Sequence, residues 1–142
     1  MTEEGARSFL IISEEEGLFA LDLKHVFKVC EPPRIWPVPC APLYCRGAAH
    51  INGSICAVME LAELVECRRS SNLQKMVVLH PGTISLALLV GQATKIVRDV
   101  DVIFRESPDD PATQLLDLPE GTACLIDVSV LVQNVEKCFR LP

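Results

Sequence analysis

No apolar run in this 142-residue chain approaches the roughly 20 residues that a bilayer-spanning helix needs, and the longest, Ile84 to Val90, is interrupted by Ser85. Membrane insertion is therefore not expected. Positive charge is also scarce: 13 Lys and Arg stand against 19 Asp and Glu, the net charge is −6, and no basic run is longer than Arg68-Arg69. That lack removes the electrostatic footprint of a nucleic-acid binder. The first residues, Met-Thr-Glu-Glu-Gly-Ala-Arg, are acidic and lead into a strand-like run, which fits neither a secretory signal nor a transit peptide. A cytoplasmic protein is expected.

Chemistry-bearing motifs are equally sparse. There is no Gly-rich phosphate loop and no Ser nucleophile elbow. His25, His50 and His80, with seven cysteines, raise a metal or thiol site, but Cys40-x4-Cys45 has no second close Cys/His pair. The cysteine count is odd and no secretion signal is present, so the thiols read as reduced. Cys56, Cys67 and Cys124 sit where a small buried apolar residue would serve equally well. Glu14, Glu15 and Glu16 read as a solvated turn. A non-catalytic domain without cofactor is the leading expectation. Its competitor is a small thiol-dependent or metal-binding enzyme on a β scaffold.

What the chain does hold is apolar residues in short runs. They make up 49% of it, with a mean hydropathy of +0.30, and the length suits one domain, residues 1–142, that buries about 70% of its unfolded surface. Phe9 to Ile12 and Leu18 to Leu23 flank Ser13-Glu-Glu-Glu-Gly17, the pattern of a β-hairpin. Lys24 to Val29 reads as a short helix or a strand. Glu31 to Pro42 carries five of the ten prolines and must be extended or looped. Trp36, the only Trp, lies in that stretch and is expected to bury against the β structure rather than stand out as an aromatic anchor.

Asn52-Gly53 tolerates positive φ at both central positions of a type I′ turn, so residues 48–51 and 54–59 become paired strands. Glu60 then opens a helix of about two turns, closed by Arg68, Arg69 and the polar Ser70-Ser-Asn72, the best internal boundary. In the second half, Met76 to Leu79, Ile84 to Val90, Ala93 to Val97 and Val102 to Phe104 read as strands. Arg105 to Pro111 reads as a loop and Leu118 to Gly121 as a turn. Ala123 to Ile126 reads as another strand, before a helix from Val128 to about Val135 capped by Asp127. Ala57-Val-Met-Glu-Leu61 overlays Cys124-Leu-Ile-Asp-Val128 at an offset of 67, which also sets Leu64 on Leu131 and Val65 on Val132. Two similar subdomains, approximately residues 8–69 and 74–135, follow from this weak repeat.

The segment Arg46-Gly-Ala-Ala-His-Ile-Asn-Gly-Ser-Ile-Cys-Ala-Val-Met-Glu-Leu61 resembles the signature of the CheW-like domain: a Gly leading to an Asn-Leu-Arg-Gly turn, an apolar strand carrying a Pro, whose place Ala57 takes here, then an acidic residue and Leu. Further blocks follow in family order. Leu18 to Leu23 with Val26-Phe-Lys-Val29 is similar to the second strand and its Val-x-Glu-Ile element. Ile35 to Pro42 is similar to the Pro-containing lead-in. Leu86 to Val90 with Ala93 to Val97 is similar to Gly-Leu-Leu-Val-Asp-x-Val, and Leu125-Ile-Asp-Val128 to the closing Leu-Leu-Asp-Val. The resemblance implies a mainly β fold of two small five-stranded β-barrels with short helices. It also implies an adaptor between the cytoplasmic tip of a methyl-accepting chemoreceptor and the regulatory domain of a CheA-type histidine kinase. A Met1 start without linker-like ends reads as a stand-alone adaptor rather than a piece of such a kinase.

Carried over by motif, the partner-binding residues are Val26, Lys28, Gly47, Asn52 and Gly53. Two of them depart from the pattern: the Arg of the turn is Asn52, and the Glu of Val-x-Glu-Ile is Lys28. The Asp after Leu-Leu-Val is Gly91. On their own residues, Asn52-Gly53 serves as a backbone turn and Val26 and Val29 as core, with Lys28 solvated. The resemblance adds an interaction tip and a partner groove at the same positions.

Overall fold

A computed structural model describes residues 7–39, 45–65, 73–80, 85–110 and 113–139, the side chains of 137–139 excepted. The chain opens as the expected hairpin, β1 (Ser8–Glu14) and β2 (Gly17–Asp22). Asp22 accepts the Lys24 N–H at 3.1 Å and caps a 3-10 turn at Leu23–His25. Helical and extended readings of this stretch are thus both partly right, because β3 (Val26–Cys30) follows at once. Then come β4 (Cys45–Ile51), β5 (Ser54–Glu60), α1 (Leu61–Leu64), β6 (Lys75–Leu79), β7 (Leu86–Val90), β8 (Gln92–Arg98), β9 (Ile103–Glu106), β10 (Gln114–Leu118), β11 (Gly121–Leu125) and α2 (Val128–Phe139).

The strands form two sheets, in the orders β8-β1-β2-β11-β10-β9 and β3-β6-β7-β5-β4. Pairing is antiparallel except where β11 meets β2 and β5 meets β7. The five-stranded sheet comes from the middle of the chain and the six-stranded sheet from both ends. The consecutive halves 8–69 and 74–135 therefore do not coincide with the sheets. The repeat itself does have a structural counterpart, since β5 and β11 are the strands in the two parallel pairs and each leads into a helix. The mainly β fold is as expected, in one six-stranded and one five-stranded sheet, and neither sheet closes on itself by strand pairing among the described residues.

Strand periodicity explains the high apolar content. Leu10, Ile12, Leu21, Val77, Leu79, Leu86, Leu88 and Val90 meet in a central core with Ile126, Val128, Leu131 and Val135 at the α2 end. Their alternating neighbours bury elsewhere: Met76, Val78, Ala87 and Leu89 in one flanking core, Phe9, Ile11 and Ala20 in the other. A sheet covered on both faces makes its inner strands continuously apolar. Accordingly, all five residues of Leu86–Val90 are buried.

Several local expectations need correction. The helix after Glu60 is one turn, not two, and Glu60 makes no side-chain cap bond because its carboxylate accepts from Arg46 at 2.9 Å. Arg68, Arg69 and Ser70 to Asn72 lie outside the described residues. Arg105 and Glu106 belong to β9 rather than to a loop. Asp127 does cap α2, accepting the Val130 N–H at 3.3 Å. Trp36 is 51% exposed, against the expected burial, although its backbone is held firmly.

Candidate partner-binding site

The β4–β5 turn has the geometry its residues dictate. Asn52 sits at φ 50° and Gly53 at φ 81°, both in the region a type I′ turn requires, and Ile51 pairs with Ser54 across it. Lys28 lies on β3, at the opposite edge of the same sheet. Its Nζ donates to Asn52 Oδ1 at 3.1 Å. The sheet therefore curls until its two edge strands meet through side chains. Beside this contact opens a cleft of about 210 Å³, with Phe27, Asn52, Cys56 and Val78 among its walls. Phe27 stands half exposed there and packs edge-on against His80, ring centroids 5.5 Å apart.

Lys28, Asn52 and Gly53 are thus brought together, and the other two expected contact residues are not part of that cluster. Val26 is half-buried against the central core, paired with Leu79. Gly47 is buried at φ 140°, and a Cβ there would run into the carbonyl oxygen of Trp36. That close approach is what lets Trp36 and Ala48 exchange two backbone hydrogen bonds of 2.8 Å each. Gly47 is accordingly the residue that seats the Pro-rich segment on β4.

The other sheet repeats the arrangement. Lys95 on β8 reaches Glu120 in the β10–β11 turn, with contacts of 2.7 and 2.9 Å to the two carboxylate oxygens. Gly121, next to it, has φ 148°. Lys95 lies 67 positions after Lys28, the offset of the strand-and-helix repeat. The offset locates the second lysine but not its partner, since it sets Asn52 on Pro119 rather than on Glu120.

The sequence pattern of the CheW-like domain matches residues 8–136. The chain belongs to the CheW-like domain family. The crystal structure of the scaffolding protein TtCheW from Thermoanaerobacter tengcongensis superposes with a TM-score of 0.75 at 16% identity, over 88% of this chain and 86% of that one. The likeness establishes a shared fold. Comparison with curated protein sequences finds no match.

Positions 28 and 52, the two departures from the CheW-like signature noted in the sequence, meet in this structure. This chain has a lysine donor and a neutral amide acceptor, and the tip becomes cationic. The Gly91 N–H donates to the carboxylate of Glu14 at 2.9 Å, and Glu14, at the end of β1, is buried rather than part of a solvated turn as expected.

Burial pushes the thiols of Cys45, Cys56 and Cys124 up, further from the reactive thiolate at neutral pH, with the Gly47 backbone partly opposing this at Cys45. No group of three His, Cys, Asp or Glu side chains converges on a common point among the described residues. No helix among them is long and apolar enough to cross a membrane.

Proposed function

We propose that this CheW-like domain, acting as one unit over residues 1–142, is a non-catalytic cytoplasmic adaptor. It couples the cytoplasmic tip of a methyl-accepting chemoreceptor to the regulatory domain of a CheA-type histidine kinase. Family membership supports a chemotaxis scaffold role, and the structural neighbour is itself described as a scaffolding protein. The observation that carries the reading is the Lys28–Asn52 hydrogen bond, which joins two of the motif-derived contact positions in one exposed tip beside Gly53.

Function on this reading resides in surface geometry. A turn already fixed by its φ angles and strapped to β3 loses little further freedom on docking, so more of the contact energy appears as affinity. Gly47 and Val26 act beneath the contact surface, seating the Trp36 segment and the start of β3. The cationic tip requires a kinase surface changed to match, because a repelling charge at an interface costs several kcal/mol. Reconstitution tests the coupling. Kinase autophosphorylation in the presence of receptor should rise when this protein is added, and a rate independent of it would refute the adaptor role.

A further inference from the structure

Next to the tip, the outward side of the β4 edge carries an apolar patch bordered by cations. Trp36 is 51% exposed and Ile55 65%, and Ile55 lies directly opposite His50 in the β4–β5 register. The Trp36–Ala48 bridge is antiparallel, so Arg34 runs toward His50 and Val38 toward Arg46. All four of these are exposed. The Arg34 guanidinium stacks 3.9 Å from the Trp36 ring centroid and has no carboxylate partner among the described residues. Arg46 donates to the buried Glu60 and keeps 43% of its side chain in solvent.

The charge here is opposite to that of the chain as a whole. Residues 34–38, 45–51 and 54–58 hold two arginines, one histidine and no acid, in a protein of net charge −6; Glu60, at the end of β5, pairs with Arg46 from a buried position, and Arg34 carries the uncompensated charge. Tryptophan and arginine are the residues that most often anchor interfaces, and a planar guanidinium recognises carboxylates through two parallel hydrogen bonds. A rigid backbone beneath them, fixed by the Trp36–Ala48 bonds, holds both groups ready.

We propose that this face is a docking surface for an acidic segment of a partner protein, which lays an apolar side chain over Trp36 and Ile55 while its carboxylates meet Arg34 and Arg46. The surface is distinct from the Lys28–Asn52 tip and does not depend on which kinase or receptor is engaged.

Trp36 is the only tryptophan, so its emission reports on this face directly. The full chain is titrated with a Trp-free dodecapeptide of Glu, Ser and Leu, and separately with the same peptide carrying Lys for Glu. The acidic peptide alone should produce a saturable change in Trp36 emission. Its affinity should fall about tenfold or more in Arg34→Glu, and also fall in Ile55→Ser. In Arg98→Glu, the same charge change at an exposed site on β8, it should stay within about twofold. No emission change, an equal response to both peptides, or equal losses in Arg34→Glu and Arg98→Glu would overturn the proposal.

Discussion

Lys28 and Asn52 are 24 residues apart in sequence and 3.1 Å apart in space, Nζ to Oδ1, each on a different edge of one sheet. The two positions that depart from the CheW-like signature are thereby joined by one hydrogen bond. In an exposed setting such a bond contributes little to stability, about 0.2–1 kcal/mol. Its weight lies in the shape and charge of the tip.

The turn glycine should be costly to replace for reasons of backbone alone. A Cβ at Gly53 meets nothing within 4 Å, yet its φ of 81° is unfavourable for any L side chain. Gly53→Val is expected to lose about 1–2 kcal/mol in urea unfolding. Gly17→Ala, equally open but without a positive φ, should be neutral or slightly stabilising.

At Gly47 the penalty is both steric and conformational. Gly47→Ala should cost about 1–3 kcal/mol for the overpacking, with strain from φ 140° added. Because the clash falls on the Trp36 carbonyl, the emission of Trp36 should shift as well. A variant with unchanged stability and unchanged emission would show that the Pro-rich segment is not seated as described.

Acid sensitivity should come partly from the far sheet. Asp117 is held below the ordinary carboxylate range first by hydrogen bonds from Arg105, at 2.9 and 3.1 Å, then by Thr122. Glu120 is lowered first by its hydrogen bond from Lys95. Unfolding returns both groups to ordinary values near pH 4, so the folded state binds fewer protons. Their contribution is complete above that value and is lost as pH falls through the lower folded-state values. Urea midpoints measured from pH 6 to pH 3 should fall less steeply for Asp117→Asn than for the wild type, and parallel curves would contradict the assignment.

The thiols provide a test against the enzyme alternative. Cys45, Cys56 and Cys124 should alkylate slowly with iodoacetamide at pH 7 in the native protein and quickly once it is unfolded. One thiol among them reacting at the unfolded rate in the native state would revive a nucleophilic role.

Local chemistry was the legible part of the fold. The Asn52-Gly53 turn, the first hairpin and the Asp127 cap each depend on a few adjacent residues, and each stands where the sequence placed it. Gln114–Leu118 was missed because only Leu116 and Leu118 are buried, while the intervening Asp117 pairs across the sheet with Arg105. The sheets themselves were illegible. No local pattern tells β2 to accept β11, a parallel partner about a hundred residues away.

Within the candidate site, the motif located the turn and Lys28, but not that they touch. That contact depends on the curl of the five-stranded sheet. Trp36 was misjudged because a lone aromatic among prolines reads as something to bury. Its backbone is buried by Gly47, and its ring is left outside with Arg34.

Calorimetric titration of the purified protein with the regulatory domain of a histidine kinase from the same organism, repeated with Asn52→Asp, tests the tip most directly. Saturable binding at micromolar strength or better, weakened about tenfold or more by the substitution, is the expected result. Undiminished binding by Asn52→Asp would remove the Lys28–Asn52 tip from the kinase contact, and absence of binding by the wild type would contradict the adaptor assignment.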